Sequence, residues 1–137
     1  MKIGVIGAGA VGGFYGGKLC HTGEDVHILL RGDYEAVNTR GLRIESADGD
    51  FTVYPHAHDT PEGIGPCDLV LVALKTSANE LYAELITPLV GKHTAILCLQ
   101  NGLGNCEQLA ELFGAEKILG GLCFVCLNRS APGVIQH

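Results

Sequence analysis

The chain has 137 residues, 47% hydrophobic and 18% charged, with 15 acidic against 9 basic side chains and a net charge of −6. Disorder needs the opposite balance and is excluded. The negative charge argues against general binding to nucleic acid or anionic lipid, since both need clustered Lys and Arg. The length fits one domain, residues 1–137, with a single continuous core. No apolar run approaches the roughly 20 residues that span a bilayer. Met1-Lys2-Ile3 leads straight into an apolar, glycine-rich stretch that reads as a strand and not as a signal peptide. Cys20, Cys67, Cys98, Cys106, Cys123 and Cys126 lie mostly in apolar segments and form no dense framework, which points to reduced thiols and a cytoplasmic protein.

Residues 2–6 are short, apolar and followed by glycines, as a buried strand should be. They run into Gly7-Ala8-Gly9-Ala10-Val11-Gly12, a complete G-x-G-x-x-G. Val11, Phe14, Tyr15, Leu19 and Cys20 then recur at helical spacing over residues 11–21, closed by Gly23. Strand, glycine turn and helix in that order are the context of a dinucleotide-binding turn. Gly7 permits the tight turn, Gly9 admits a pyrophosphate and Gly12 lets helix and strand pack closely. Backbone N–H groups from Ala8 to Gly12 would meet the phosphates at the helix start.

A second strand spans residues 26–30 and ends at Arg31-Gly32. An NAD site would carry Asp or Glu there for the ribose 2′-hydroxyl, whereas Arg31 can pair bidentately with a 2′-phosphate. Glu24 and Asp25 precede the strand and lie at its wrong end, so NADP(H) is favoured over NAD(H). Flavin and S-adenosylmethionine sites also want acid where Arg31 stands.

Residues 33–39 could form a short helix ended by Gly41, and 42–46 with 51–54 flank Ala47-Asp48-Gly49-Asp50 as a β-hairpin. Residues 56–66 are polar, with prolines and glycines, and read as a surface loop. His56 and His58 alternate there without partners at ligand spacing and are expected to be solvated. Residues 68–74 form a strand covered on both faces and lead into Lys75. That lysine could meet phosphate or carboxylate at a crevice mouth, and reads equally well as a solvated loop residue.

Residues 79–89 carry a helical pattern, 95–99 a buried strand, 105–113 another helix and 117–127 a fifth core strand region. Asn101, after the fourth strand, offers an acceptor and two donors near a nicotinamide ribose, or simply makes a turn before Gly102. Cys123 and Cys126, three apart on a strand, would face opposite sides and serve as core thiols, and no metal site is expected. The tail, 128–137, reads as a turn into a strand that has barely begun. The alternation predicts an α/β fold of the Rossmann type: a doubly wound, mainly parallel sheet with helices on both faces and a hairpin excursion.

Taken together the sequence resembles the ketopantoate reductases (2-dehydropantoate 2-reductases) over nearly its whole length. The likeness runs through residues 2–12, Leu30-Arg31, Leu71-Val72-Ala73-Leu74-Lys75, Leu99-Gln100-Asn101-Gly102-Leu103-Gly104-Asn105 and residues 132–137. The resemblance implies NADPH-dependent reduction of the 2-oxo acid ketopantoate to pantoate, on the route to pantothenate and coenzyme A. It implies pyrophosphate on Gly7 to Gly12, adenosine phosphates on Arg31 and Lys75, nicotinamide ribose and substrate on Asn101, and a looser cofactor contact at Asn128.

Members of that family continue into a helical second domain that supplies the general-acid lysine, and no residue here matches that lysine. The expectation is a cofactor-binding domain, inactive alone, whose apolar face is meant for the helical partner domain and could also favour a homo-oligomer. Two other readings stand beside it: a reductase of another 2-oxo acid, and a stand-alone NADP(H)-binding or sensing module.

Overall fold

The structure, a computed structural model, describes residues 1–137. The chain runs through β1 (Lys2–Ile6), α1 (Ala10–His21), β2 (Asp25–Leu29), α2 (Tyr34–Arg40), β3 (Leu42–Glu45), β4 (Phe51–Val53) and β5 (His56–His58). It continues with β6 (Cys67–Val72), α3 (Tyr82–Ile86), β7 (Val90–Cys98), α4 (Asn105–Phe113), β8 (Ile118–Gly120), β9 (Asn128–Ala131) and β10 (Val134–Gln136). Two sheets result: six strands in the order β5-β2-β1-β6-β7-β8, and four in the order β4-β3-β10-β9. Every pairing in the larger sheet is parallel. From β1 the chain winds outward through β2 to β5, then returns to the other side of β1 as β6. The crevice beyond the carboxyl ends of β1 and β6 is therefore a topological switch point, where open α/β sheets bind ligands.

Alternation along the strands sorts the core into two layers. Val70, Val72, Ile96 and Cys98 face Tyr82, Leu85, Ile86 and Leu109 of α3 and α4. Ile3, Val5, Val26 and Ile28 face the opposite way, with Phe14 of α1 and with Ile44 and Ile135 of the small sheet. No helix is long and apolar enough to cross a membrane.

The buried stripe of α1 differs from the one its apolar spacing predicts. Its buried residues are Gly12, Gly13, Phe14, Gly16 and Gly17, while Tyr15, Leu19 and Cys20 are only half-buried. The helix lies between the two sheets, and the glycines set its distance from both. A Cβ at Gly16 would stand 3.1 Å from Val5, one at Gly13 3.1 Å from Ile135 and one at Gly17 3.2 Å from Ile44.

Further expectations need correction. The supposed loop at 56–66 begins with β5, which pairs in parallel with β2, His27 opposite His56 and Leu29 opposite His58. A short polar strand at a sheet edge carries no apolar signal. The tail is a hairpin, β9 with β10, and β10 joins β3 in parallel. Helix α3 is a short α-segment between 3-10 turns at Thr76–Leu81 and Thr87–Leu89. Pro88, which cannot donate into a helix, opens the second of these.

The fifth strand stops at Gly120 and residues 121–127 are irregular. Cys123 is half-buried and Cys126 exposed, so neither is a core thiol. Leu122 and Phe124 project fully into solvent. Beside them Leu69, Leu97 and Leu99 line an apolar cleft of about 480 Å³ on the face that α1 leaves open.

Candidate functional site

The glycine turn leaves β1 at the switch point. Gly7 has φ +90°, and a Cβ there would lie 2.5 Å from the Leu74 nitrogen and 2.6 Å from the Ala73 carbonyl carbon, so no other residue fits. At Gly12 a Cβ would stand 2.4 Å from the Gly7 carbonyl oxygen, whereas at Gly9 it would meet nothing within 4 Å. Two glycines thus close the turn against β6 and α1, and the third keeps its outer side open. Helix α1 has no side-chain cap and no acidic residue in its first turn. The N–H groups of Ala10, Val11 and Gly12 have no intrahelical partner and sit at the positive end of the helix dipole.

A cleft of about 370 Å³ opens above this turn. Its walls bring together Gly7, Ala8 and Gly9 from the turn, Arg31, Gly32 and Asp33 after β2, and Lys75 after β6. Arg31 and Lys75 are both exposed, and Lys75 caps the 3-10 turn Thr76–Leu81, its carbonyl accepting from the Ala78 N–H. The sequence reading missed Arg129, which reaches the same cleft from β9. Its guanidinium forms a two-pronged ion pair with the nearly buried Asp33, Nε donating to Oδ2 at 2.8 Å and a terminal nitrogen donating to Oδ1.

The Gly133 N–H also donates to Asp33 Oδ2, at 3.0 Å. The hydrogen bonds from Arg129 hold the Asp33 carboxyl below its ordinary value against the opposing effect of burial. Asp33 stands two residues past Arg31, where an acidic side chain could have served a ribose hydroxyl. Its oxygens are instead engaged by protein donors. The available charge at this end of β2 is that of Arg31 and Lys75, which form no ion pair.

Asn101 and Asn128 do not line this cleft. Asn128 is exposed at the start of β9, opposite Gln136. Asn101 is exposed in the bend after β7. Its backbone is fixed by the buried Asn105, whose Nδ2 donates to the carbonyls of Asn101 at 3.1 Å and Gly102 at 3.4 Å. Asn105 Oδ1 in turn accepts from Asn79, Asn79 Oδ1 accepts from Gln100, and Gln100 Oε1 accepts from the Tyr82 hydroxyl. Burial pushes the Tyr82 phenol up to about 12, so it remains a donor. A polar chain between α3, α4 and β7 therefore sets the loop that presents Asn101. Only the Asn-Gly pair of that arrangement was legible in the sequence.

Sheet order and glycine turn define a Rossmann-type domain. The family profile described as ketopantoate reductase PanE/ApbA matches residues 3–137, and the chain belongs to that family. It is 47% identical over 137 residues to a 2-dehydropantoate 2-reductase of Nostoc sp., covering 99% of this chain and 43% of that protein. The solved 2-dehydropantoate 2-reductase of Geobacter metallireducens GS-15 superposes with TM-score 0.97 at 56% identity, over all of this chain and 46% of that one. At 23% identity and TM-score 0.87, a D-mandelate dehydrogenase solved with NADH and anilino(oxo)acetate shares the fold, over 99% of this chain and 45% of that one. The chain thus spans a little under half the length of these relatives.

Proposed function

We propose that this chain is the NADPH-binding domain of a cytoplasmic oxidoreductase that reduces a 2-oxo acid, ketopantoate, to the 2-hydroxy acid pantoate. The charge arrangement of the cleft carries this reading. Arg31 and Lys75 stand unpaired beyond the glycine turn, while the one nearby carboxylate, Asp33, is held by Arg129 and Gly133. A dinucleotide with an extra phosphate on its adenosine ribose fits a site of that sign better than one with a free hydroxyl.

The residues present suit such a group. The open side of Gly9 gives room for a pyrophosphate, and the N–H groups of Ala10, Val11 and Gly12 offer it donors. Ala8 lines the approach, and Arg31 with Lys75 would take the adenosine phosphates. The bound dinucleotide supplies the hydride. Asn101, on its fixed loop, would orient the nicotinamide ribose and the substrate, and Asn128 would make a peripheral contact.

Reduction of a carbonyl also needs a proton donor within hydrogen-bond reach of its oxygen. By the resemblance to ketopantoate reductases, that donor would come from a helical domain in the part of the relatives beyond the matched region. The 137-residue chain should accordingly bind NADPH without turning ketopantoate over. Parallel titrations with NADPH and NADH, repeated on Arg31→Ala, test the assignment. Loss of the phosphate contact should cost about 1.5–3 kcal/mol for NADPH and little for NADH. Equal weakening of both would overturn the assignment of Arg31 to the 2′-phosphate, and normal turnover by this chain would overturn the claim of inactivity.

A further inference from the structure

The edge of the larger sheet carries a cluster that the nucleotide site does not use. Strands β2 and β5 pair with His27 opposite His56, and this register brings three imidazoles and a carboxylate onto one face. The His27 and His56 rings stack with centroids 4.6 Å apart, and those of His27 and His58 with centroids 5.1 Å apart. Asp25 Oδ1 lies 3.2 Å from His27 Nε2 and 3.4 Å from His56 Nε2. All three of these ligand-type atoms fall within 4.8 Å of one another.

We propose that Asp25, His27 and His56 form a binding site for a late first-row divalent metal ion, zinc in the first instance, which clips the edge strand β5 to β2. The spacing suits that chemistry. Tetrahedral zinc with bonds of about 2.0–2.1 Å holds its ligand atoms about 3.3–3.4 Å apart, which matches the two edges that share Asp25 Oδ1. Rotation of the exposed His56 ring closes the third edge, and water fills the fourth position. Two imidazoles and one carboxylate favour zinc, copper, nickel or cobalt over magnesium or calcium, which prefer all-oxygen sites.

His58 is the positioning residue. Its Nε2 lies 2.9 Å from His27 Nδ1. When Nδ1 of His27 donates to His58 Nε2, the lone pair on His27 Nε2 is directed at the metal. This is the outer-shell hydrogen bond that metal-ligating histidines usually make. If His27 carries its proton on Nε2 toward Asp25 when no metal is bound, His58 Nε2 is the donor to His27 Nδ1. Metal binding would then switch the tautomers of both rings together, with no net release of a proton from the pair. Lys2, on the neighbouring β1, turns its ammonium to the Ile64 carbonyl at 2.6 Å and does not bond to Asp25. Asp25 and Arg31 are separated by six residues of extended chain, about 20 Å at the rise of a strand, so the cluster lies apart from the nucleotide cleft.

The test is calorimetric titration of the tag-free 137-residue chain with Zn²⁺ alone at pH 7.5, joined to thermal unfolding with and without the metal. One equivalent should bind, and Tm should rise with zinc concentration, because only the folded chain brings the ligands together. Asp25→Asn and His56→Gln, both at exposed positions, should each weaken binding at least tenfold while circular dichroism shows the fold retained. His58→Gln should weaken it about 10–100-fold. His93→Gln and Cys126→Ser, far from the cluster in the fold, should leave affinity unchanged. Absence of a one-to-one phase, or affinity that follows Cys126 or His93 in place of Asp25 and His56, would overturn the site.

Discussion

The two ends of β2 present different chemistry built by different means. At its carboxyl end, Arg31 stands over a cleft whose other parts come from the glycine turn after β1 and from Lys75 after β6. Each of these follows a strand directly in sequence, and the parallel sheet aligns strand ends by its own geometry. At its amino end, Asp25 and His27 acquire function only through pairing with β5, which begins some thirty residues later. The first kind of site is local chemistry repeated at equivalent positions of a regular scaffold. The second is a register effect, and a slip of one residue would turn His56 and His58 to the other face.

Four measurements would break or sharpen this contrast. Gly7→Ala should have the largest effect. It combines a positive φ with a Cβ driven into the backbone of Ala73 and Leu74, and should cost about 3 kcal/mol in urea unfolding. Gly9→Ala, with open space around its Cβ, should leave stability nearly intact yet weaken dinucleotide binding. If both variants destabilised the fold equally, the separation of closing glycines from an open one would fail.

Asp33→Asn comes next, at about 1.5–3 kcal/mol near neutral pH, because it removes the charged partner of Arg129 and an acceptor for Gly133. The native carboxyl titrates below its ordinary value, so its stabilisation is present above the unfolded-state pKa of about 3.9. That contribution is lost as the pH falls through the lowered folded value. The difference in Tm between wild type and Asp33→Asn should therefore be full above about pH 5 and shrink in acid. A difference that grew in acid would contradict the pairing.

Arg129→Gln should have a smaller effect on stability and a distinctive one on selectivity. Freed of its partner, Asp33 would stand as an unpaired carboxylate beside Arg31, and the ratio of NADH to NADPH affinity should rise several-fold, about 1 kcal/mol. An unchanged ratio would show that Asp33 has no part in cofactor choice. The smallest effect belongs to Asn101→Ala. Its side chain makes no hydrogen bond within the domain and Asn105 holds its backbone, so stability should move by less than about 0.5 kcal/mol. Its consequences should appear only in substrate and nicotinamide binding by a full-length reductase.

The candidate site was partly legible and the pattern of omissions is physical. Gly7, Gly9, Gly12, Arg31 and Lys75 were visible because each follows an apolar strand, and a strand end is a defined place in a parallel sheet. Arg129 and Asp33 were missed because they are 96 residues apart and their pairing depends on β9 folding back over the start of α2. The chain from Tyr82 through Gln100, Asn79 and Asn105 was missed for a similar reason. Each of those side chains alone is an ordinary polar residue, and only packing of α3 and α4 on β7 joins them. The sequence misjudged α1 because hydrophobic periodicity scores glycine as neutral, whereas close packing between two sheets makes glycine the buried residue.

The sequence by itself determined the alternation of strands and helices, the glycine turn and the basic residues at the strand ends. These depend on local periodicity and on backbone freedom, which a short window of residues contains. It also carried the family, confirmed over residues 3–137. Tertiary structure decided the edge strand β5, the second sheet built from the tail, the pairing of Asp33 with Arg129 and the gathering of His27 and His56 around Asp25, with His58 behind His27. All four are long-range pairings whose partners carry weak local signals. Their stability comes from hydrogen-bond register and charge complementarity, which exist only once the chain has closed upon itself.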